Sequence, residues 1–117
     1  MANTFKVITR DVAPASAGTP ETLYTVQSGS TIVILGMNLT NVHTSQVTAS
    51  VTLVSTTTQT SQTQNTTAYL VKDVPIPAGA SLSILDGKII ANVGDIIKVD
   101  CSVADKVSVV MSYMEQT

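Results

Sequence analysis

Short stretches rich in Thr, Val and Ile, each followed by a turn signal, run through the whole chain and constrain its fold more than any other feature. β-Branched residues favour strands because their stiff side chains pack well on a pleated surface. No window repeats apolar residues at the spacing of a helix. The sequence therefore predicts an all-β fold, a single antiparallel β-sandwich or jelly roll of about eight strands formed by residues 1–117.

The boundaries of the strands follow from Gly, Pro, Asn and Asp between the apolar stretches. Segments that fit a strand lie at residues 4–12, 21–26, 31–41, 46–55, 67–76, 81–85, 88–91, 95–103 and 106–115. Asp86 and Gly87 are a signal for a two-residue hairpin between two of these segments. Pro75 and Pro77 end another segment and exclude it from continuing as a central strand. In the first segment Phe5 and Val7 alternate with Lys6, which predicts that the Lys6 face is the one in water.

The third segment, 31–41, is apolar on both of its faces. One face carries Ile32 and Ile34. The other face carries Val33, Leu35 and Met37. Gly36 within this segment indicates a β-bulge or a close backbone approach. A strand that is apolar on both faces is either central in its sheet or covered by a partner.

The last segment, 106–115, adds a second strand with apolar residues on both sides. Val110 and Met114 lie on the face opposite Val107 and Met111. Together with the third segment, this is more apolar surface than one sandwich core needs. We expect part of it to contact a neighbouring subunit, with Val33, Leu35, Met37, Val110 and Met114 as interface residues. The alternative is that both faces are covered within the domain.

Residues 55–67, STTTQTSQTQNTT, form a polar run without charge, Gly or Pro. Its Thr residues favour strands, so one interpretation is a two-stranded arm that projects from the sandwich and pairs with another chain. The other interpretation is a solvated loop. In the arm, the candidate interface residues are Thr57, Gln59, Thr60, Gln62 and Gln64.

Charge and hydropathy exclude several classes of function. The net charge is −2 and the six basic residues are scattered, so no nucleic-acid partner is expected. The apolar runs are too short to span a membrane, and the first ten residues lack the apolar core of a signal peptide, so we expect neither membrane insertion nor secretion. Charged residues are 12% of the chain against about 25% in an ordinary soluble domain. Such a surface suits a protein that packs against neighbouring protein.

The side chains that usually carry chemistry are sparse. His43 is the only histidine and Cys101 the only cysteine. A metal site needs several such ligands, and Cys101 belongs to an alternating apolar row that directs it to the core. The carboxylates fall mostly in turns or near strand ends, and aromatic residues, which sugar-cleaving sites use for stacking, are 3% of the chain. We therefore expect no enzymatic activity, no metal and no cofactor.

Several longer stretches resemble one protein family. TLYTVQSGSTIVILGMNLTN near the start, then KDVPIPAGASL, VGDIIKV and VVMSYME in the second half, are similar to small virion structural proteins of tailed bacteriophages, particularly marine and cyanobacterial phages. These motifs are strands and turns, and the resemblance covers most of the chain except the polar run. It implies a non-enzymatic β-sandwich present in many copies, synthesised in the host cytoplasm and incorporated into the virion.

The resembling motifs do not specify a place in the particle. Because the chain has low charge, strands that are apolar on both faces and no catalytic motif, we expect a head decoration protein that stabilises the capsid, as a homo-oligomer such as a trimer bound to the major capsid protein. A neck, tail or fibre-attached virion protein is the alternative. A second alternative is a carbohydrate-binding module that holds the phage to its host surface, although Phe5, Tyr24, Tyr69 and Tyr113 are its only aromatic residues.

Overall fold

The computed structural model describes residues 2–55, 66–85 and 87–117, and within these ranges all regular secondary structure is β-strand. The strands are β1 (Asn3–Ala13), β2 (Glu21–Thr25), β3 (Thr31–Asn41), β4 (Val47–Val54), β5 (Thr67–Ile76), β6 (Ser81–Ser83), β7 (Ile89–Ala91), β8 (Ile96–Cys101) and β9 (Val107–Gln116). They form two antiparallel sheets that pack face to face. The predicted all-β sandwich is confirmed.

The order of the strands is that of a jelly roll. Sheet 1 has the order β1-β9-β3-β6, with β7 also paired to β3, and sheet 2 has the order β2-β8-β4-β5. The two short strands β6 and β7 lie one after the other along β3 and together fill one strand position. Each sheet therefore has four strand positions, with β1 and the β6/β7 position at the edges of sheet 1 and β2 and β5 at the edges of sheet 2.

The predicted hairpin at residues 86–87 is wrong. Ser83 pairs with Asn38, and Ile89 pairs with Ile34, so β6 and β7 both run antiparallel to β3 and parallel to each other. The Asp-Gly signal is local, whereas both short strands find a better partner in β3, which is eleven residues long. Asp86 itself lies outside the described residues.

The core lies between the inner faces of the two sheets and is almost entirely aliphatic. Its largest fully buried apolar side chains are Ile32, Ile34, Leu39, Val47, Val51, Ile76, Ile97, Val99, Val107, Val109 and Met111. Burial of each such side chain stabilises the fold by about 1.5–3 kcal/mol. Cys101 is 3% exposed, which confirms its predicted place in the core.

A β-bulge in β3 corrects one of the predicted faces. Ile34 pairs with Tyr113 and Gly36 pairs with Ser112, so Leu35 is an extra residue without a partner on β9. The bulge expected from Gly36 is confirmed. The extra residue shifts the alternation by one position, and Met37 joins the core at 3% exposed. The assignment of Met37 to the outer face, and with it to an interface, is wrong for this reason.

The polar run joins two neighbouring strands. Val54 at the end of β4 pairs with Thr67 at the start of β5, so the two strands are antiparallel neighbours in sheet 2. Residues 56–65, including all five of the polar interface candidates, lie outside the described residues. Their interpretation as an arm or a loop stays a prediction. Pro75 lies in β5, at the edge of sheet 2, as a proline within a strand requires.

Candidate functional site

The outer face of sheet 1 carries an apolar row that crosses four strands. Phe5 on β1 pairs with Met114 on β9, Met114 pairs with Val33 on β3, and Val33 pairs with Ile90 on β7. Directly paired residues point to the same side of a sheet, and the row spans about 14 Å. Phe5 is 74% exposed and Ile90 is 60% exposed, so the row is open to solvent at both of its ends.

Three more exposed apolar residues surround this row. Val7 follows Phe5 on β1, Leu35 is the extra residue of the β3 bulge, and Val110 lies on the outer face of β9. These seven residues are called the apolar face from here on. Soluble proteins seldom leave a large side chain such as Phe5 so exposed within a contiguous apolar surface, and such surfaces mark contact sites for other molecules.

Four of the interface residues predicted from the sequence belong to the apolar face: Val33, Leu35, Val110 and Met114. Their outward placement agrees with the prediction, whereas Met37 is buried. Phe5, Val7 and Ile90 share this face but were not among the residues predicted from the sequence. Alternation was visible in β1, but alternation alone does not tell which of the two faces meets the core.

The structure reverses the faces expected for β1. Lys6 pairs with Tyr113 and points inward, whereas Phe5 and Val7 point outward. Lys6 Nζ donates to Glu115 Oε1 at 2.7 Å, and Tyr24 OH donates to Glu115 Oε2 at 3.3 Å. The inner face at this edge of the sandwich is therefore polar, which accommodates Lys6 and leaves the apolar residues of β1 outside.

The polar cluster around Glu115 changes the pKa values of its members. The hydrogen bond from Lys6 lowers the pKa of Glu115, and the same bond raises the pKa of Lys6. Burial of the phenol, with further contributions from Tyr113 and Glu115, raises the pKa of Tyr24 to about 12. The rings of Tyr24 and Tyr113 pack with their centroids 5.3 Å apart. These contacts tie β1, β2 and β9 together, so we assign the cluster a structural role.

The outer face of sheet 2 is polar and contains a groove of about 220 Å³. The residues that line it are Pro20, Ser50, Thr52, Tyr69, Lys72, Asp73, Lys98 and Asp100. Ser50 pairs with Asp100, and Thr52 pairs with Lys98, so β8 contributes a carboxylate and an ammonium group and β4 places a hydroxyl beside each of them. Sequence reasoning missed this groove, because the groove depends on how β4, β5 and β8 are aligned.

Asp73 holds one wall of the groove in an unusual backbone conformation. Its φ is 48°, a left-handed value that non-glycine residues seldom adopt. Asp73 N donates to Ser50 Oγ at 2.8 Å, and Ser50 Oγ donates to Asp73 Oδ1 at 3.3 Å. Strained residues held in this way concentrate at ligand sites. Beside it, Lys72 Nζ lies 5.3 Å from the ring centroid of Tyr69, which is 56% exposed.

The groove offers both donors and acceptors to a ligand. Among the described residues the only ion pair is the one between Lys6 and Glu115, so the ammonium and carboxylate groups of the groove are not paired with one another. Hydroxyl-rich molecules are bound by such mixtures of carboxylates, ammonium groups and an exposed aromatic ring.

The described residues contain no group of three or more His, Cys, Asp or Glu side chains that could hold a metal ion. His43 is half-buried in the turn after β3, and Cys101 is in the core. No helix in the described ranges is long and apolar enough to cross a membrane.

Comparisons with protein-family models, with curated proteins and with solved structures find no significant match to this chain.

Proposed function

We propose that this chain is a non-enzymatic structural component of a tailed-phage virion, present in many copies as a head decoration protein that stabilises the capsid. The observation that carries the proposal is the apolar face, above all the row from Phe5 to Ile90. A decoration protein acts by burying surface against the shell, and this face offers such a surface. The resemblance of several sequence motifs to small virion proteins supplies the phage context.

The fold is consistent with this role but does not decide it. Jelly rolls occur in viral capsid proteins and also in lectins, so the site has to distinguish the two functions. The apolar face crosses four strands, includes Ser112 between its Val110 and Met114, and is bordered on β9 by the polar Ser108. An apolar centre with a polar border is the usual composition of a protein–protein interface. The proposed partner is therefore a protein, the major capsid protein, and the proposed place is the outside of the head.

Particle binding by matched variants tests this proposal. Val110→Lys and Ile90→Lys each place a charge on the apolar face, whereas Val93→Lys places the same charge at an apolar residue of the turn between β7 and β8. Val110 and Val93 are similarly exposed, at 44% and 49%. Purified variants are added to phage heads that lack the protein, and bound copies are counted by cryo-electron microscopy.

We expect the wild type and Val93→Lys to cover the heads and the two apolar-face variants to lose most binding. Covered heads should also release DNA at a higher temperature than bare heads. Density restricted to the neck, tail or fibres would keep the virion class and overturn the capsid role. Undiminished decoration by Val110→Lys and Ile90→Lys would show that another surface contacts the shell.

The groove on sheet 2 favours a second function, binding of a host-surface carbohydrate. Its supporting observation is the combination of the exposed Tyr69 ring with Asp73, Asp100 and Lys98 around a cavity of one-sugar size. A glycan array with the wild type and Tyr69→Ala tests it. Phe5→Ala is the matched control, since it removes an exposed aromatic ring from the opposite sheet. Specific binding that Tyr69→Ala abolishes and Phe5→Ala retains would support this function, and absence of binding to any glycan would reject it.

A further inference from the structure

The free side of β1 is an open strand edge. β1 is eleven residues long, begins the order of sheet 1 and pairs on its other side with β9. Ala2 N donates to Thr117 O at 3.0 Å, and Thr117 N donates to Ala2 O at 2.9 Å. Since hydrogen-bonded and non-bonded pairs alternate along an antiparallel ladder, this pair fixes the alternation. The backbone groups of Asn3, Phe5, Val7 and Thr9 point away from β9, toward the free edge.

This edge lacks the usual protection against pairing with another chain. Proteins protect open edges with charges, prolines, bulges or short strands. The two cations of β1 are turned inward, because Lys6 binds Glu115 at 2.7 Å and Arg10 Nη2 donates to Thr22 O at 3.2 Å. No proline occurs in Asn3–Ala13, and the bulge of β1 comes only after Arg10.

The other sheet edges in the described ranges are better protected. β5 contains Pro75 and the left-handed Asp73, both of which interrupt a ladder. β2 has five residues, and β6 and β7 have three residues each. The unprotected edge is therefore specific to β1.

We propose that β1 pairs with β1 of a second copy of this chain, antiparallel, around a two-fold axis at Val7. A two-fold axis makes two copies of the same strand antiparallel, so the edge is its own complement. With the axis at Val7, the two Val7 residues face each other and Phe5 faces Thr9 of the second copy. Phe5–Thr9 then forms about six hydrogen bonds with its copy, which lies within the range of an ordinary protein–protein interface.

Neighbouring registers are less favourable. An axis at Lys6 places two Lys6 side chains directly opposite each other, and an axis at Ile8 places Lys6 opposite Arg10 of the second copy, so both create like-charge pairs. An axis at Phe5 shortens the ladder, and an axis at Thr9 runs it into the bulge after Arg10. Val7 is thus the centre that avoids charge repulsion and retains the longest regular ladder.

The apolar rows of the two copies also favour a second copy as the occupant. In the paired sheets the row from Phe5 to Ile90 and its symmetry mate lie on one continuous outer face, joined by the two Val7 side chains. The pairing predicts a dimer in place of the trimer expected from the sequence. Self-association through β1 does not depend on the virion role, since it is measured on the purified chain without particles.

Variants that place a charge at Val7 test the pairing. Light scattering and native mass spectrometry measure whether each variant is a monomer or a dimer. Val7 is 61% exposed, so Val7→Lys and Val7→Glu should retain the fold, which circular dichroism checks. Each variant alone brings two like charges together at the axis and should associate at least roughly tenfold more weakly than the wild type. A mixture of the two brings opposite charges together and should recover a one-to-one heterodimer.

Val93→Lys is the control and should dimerise as the wild type does. The pairing is overturned by a monomeric wild type at concentrations near 100 μM, a range in which weak dimers form. It is also overturned if Val7→Lys dimerises normally, or if the mixture of Val7→Lys and Val7→Glu stays monomeric. A dimer that Val110→Lys disrupts and Val7→Lys does not would assign self-association to the apolar face instead.

Discussion

Lys6 on β1 and Glu115 on β9 form an ion pair across two neighbouring strands, with Lys6 Nζ 2.7 Å from Glu115 Oε1. Glu115 is 8% exposed although it carries a charge. This pair explains why β1 presents Lys6 to the inside of the sandwich. The same arrangement leaves Phe5 and Val7 on the outside, so a stabilising contact within the chain and the proposed contact surfaces have one origin.

The Lys6–Glu115 pair makes the free energy of unfolding depend on pH in the acidic range. The pKa of Glu115 is lowered from its ordinary value of 4.5, so the folded chain binds the proton less readily than the unfolded chain. The stability contribution is fully present above pH 4.5 and is lost as the pH falls through the lower pKa of the folded state. In urea unfolding, the difference in midpoint between the wild type and Glu115→Gln should shrink as the pH falls from about 6 to about 3.

Glu115→Gln is the appropriate comparison because it retains the shape of the side chain and removes its negative charge together with its titration. The other carboxylates affect both proteins equally. A difference in urea midpoint that stays constant over this pH range would contradict the assigned pKa direction.

Substitution of Asn41, at the end of β3, is predicted to destabilise the fold. Asn41 is 1% exposed, and its Nδ2 donates to Ile76 O at 2.8 Å and to Ser45 O at 2.9 Å. Its Oδ1 accepts from His43 N at 2.7 Å. Asn41→Ala removes all three hydrogen bonds and leaves the buried carbonyl of Ile76 without this partner, so it should lower the free energy of unfolding by about 2–4 kcal/mol.

The control for Asn41 lies on the same strand. Asn38 is exposed on the outer face of β3, so Asn38→Ala should change the free energy of unfolding by less than about 0.5 kcal/mol. Equal effects of the two substitutions in urea unfolding would show that the buried hydrogen bonds of Asn41 do not fix the turn after β3.

The β3 bulge predicts that one residue can be removed. Since Leu35 has no partner on β9, its deletion lets Ile34, Gly36 and Met37 alternate inward, outward and inward as in a regular strand. The shortened chain should fold, with a sharp urea transition and dispersed amide resonances. Deletion of Met111 from β9 is the control, because it inverts the faces of the rest of that strand, and we expect it to unfold the chain.

Cys101 provides a test of the core. The thiol is 3% exposed in a row of apolar side chains, so a thiol reagent should label it slowly in the folded chain and rapidly in urea. Cys101→Ser places a hydroxyl in this apolar site and should cost about 1–3 kcal/mol of stability. Rapid labelling under native conditions would contradict the burial. Cys101→Ala, which adds no polar group, controls for the loss of sulfur and should cost less.

Where a strand alternates clearly between apolar and polar residues, its position could be predicted from the sequence. The alternation in β4 and β8 gave the correct inner faces, and Gly36 marked the bulge of β3. Alternation is a local property, however, and it does not say which side of a strand meets the core. The faces of β1 depend on Glu115, more than a hundred residues away. The groove of sheet 2 likewise depends on the alignment of three strands, which no local pattern specifies.

The titration of Tyr24 predicts how the stability of the fold changes at alkaline pH. Burial raises the pKa of its phenol from 10.0 to about 12, so the folded chain disfavours the phenolate that the unfolded chain forms more easily. The folded state should therefore lose stability as the pH rises above 10.0, and Tyr24→Phe, which cannot ionise, should not share this loss. Urea unfolding of both proteins between about pH 9 and pH 11 measures the difference. If the wild type and Tyr24→Phe lose stability in parallel, the hydroxyl of Tyr24 is not held neutral beside Glu115, and the cluster that orients β1 is more open than its contacts indicate.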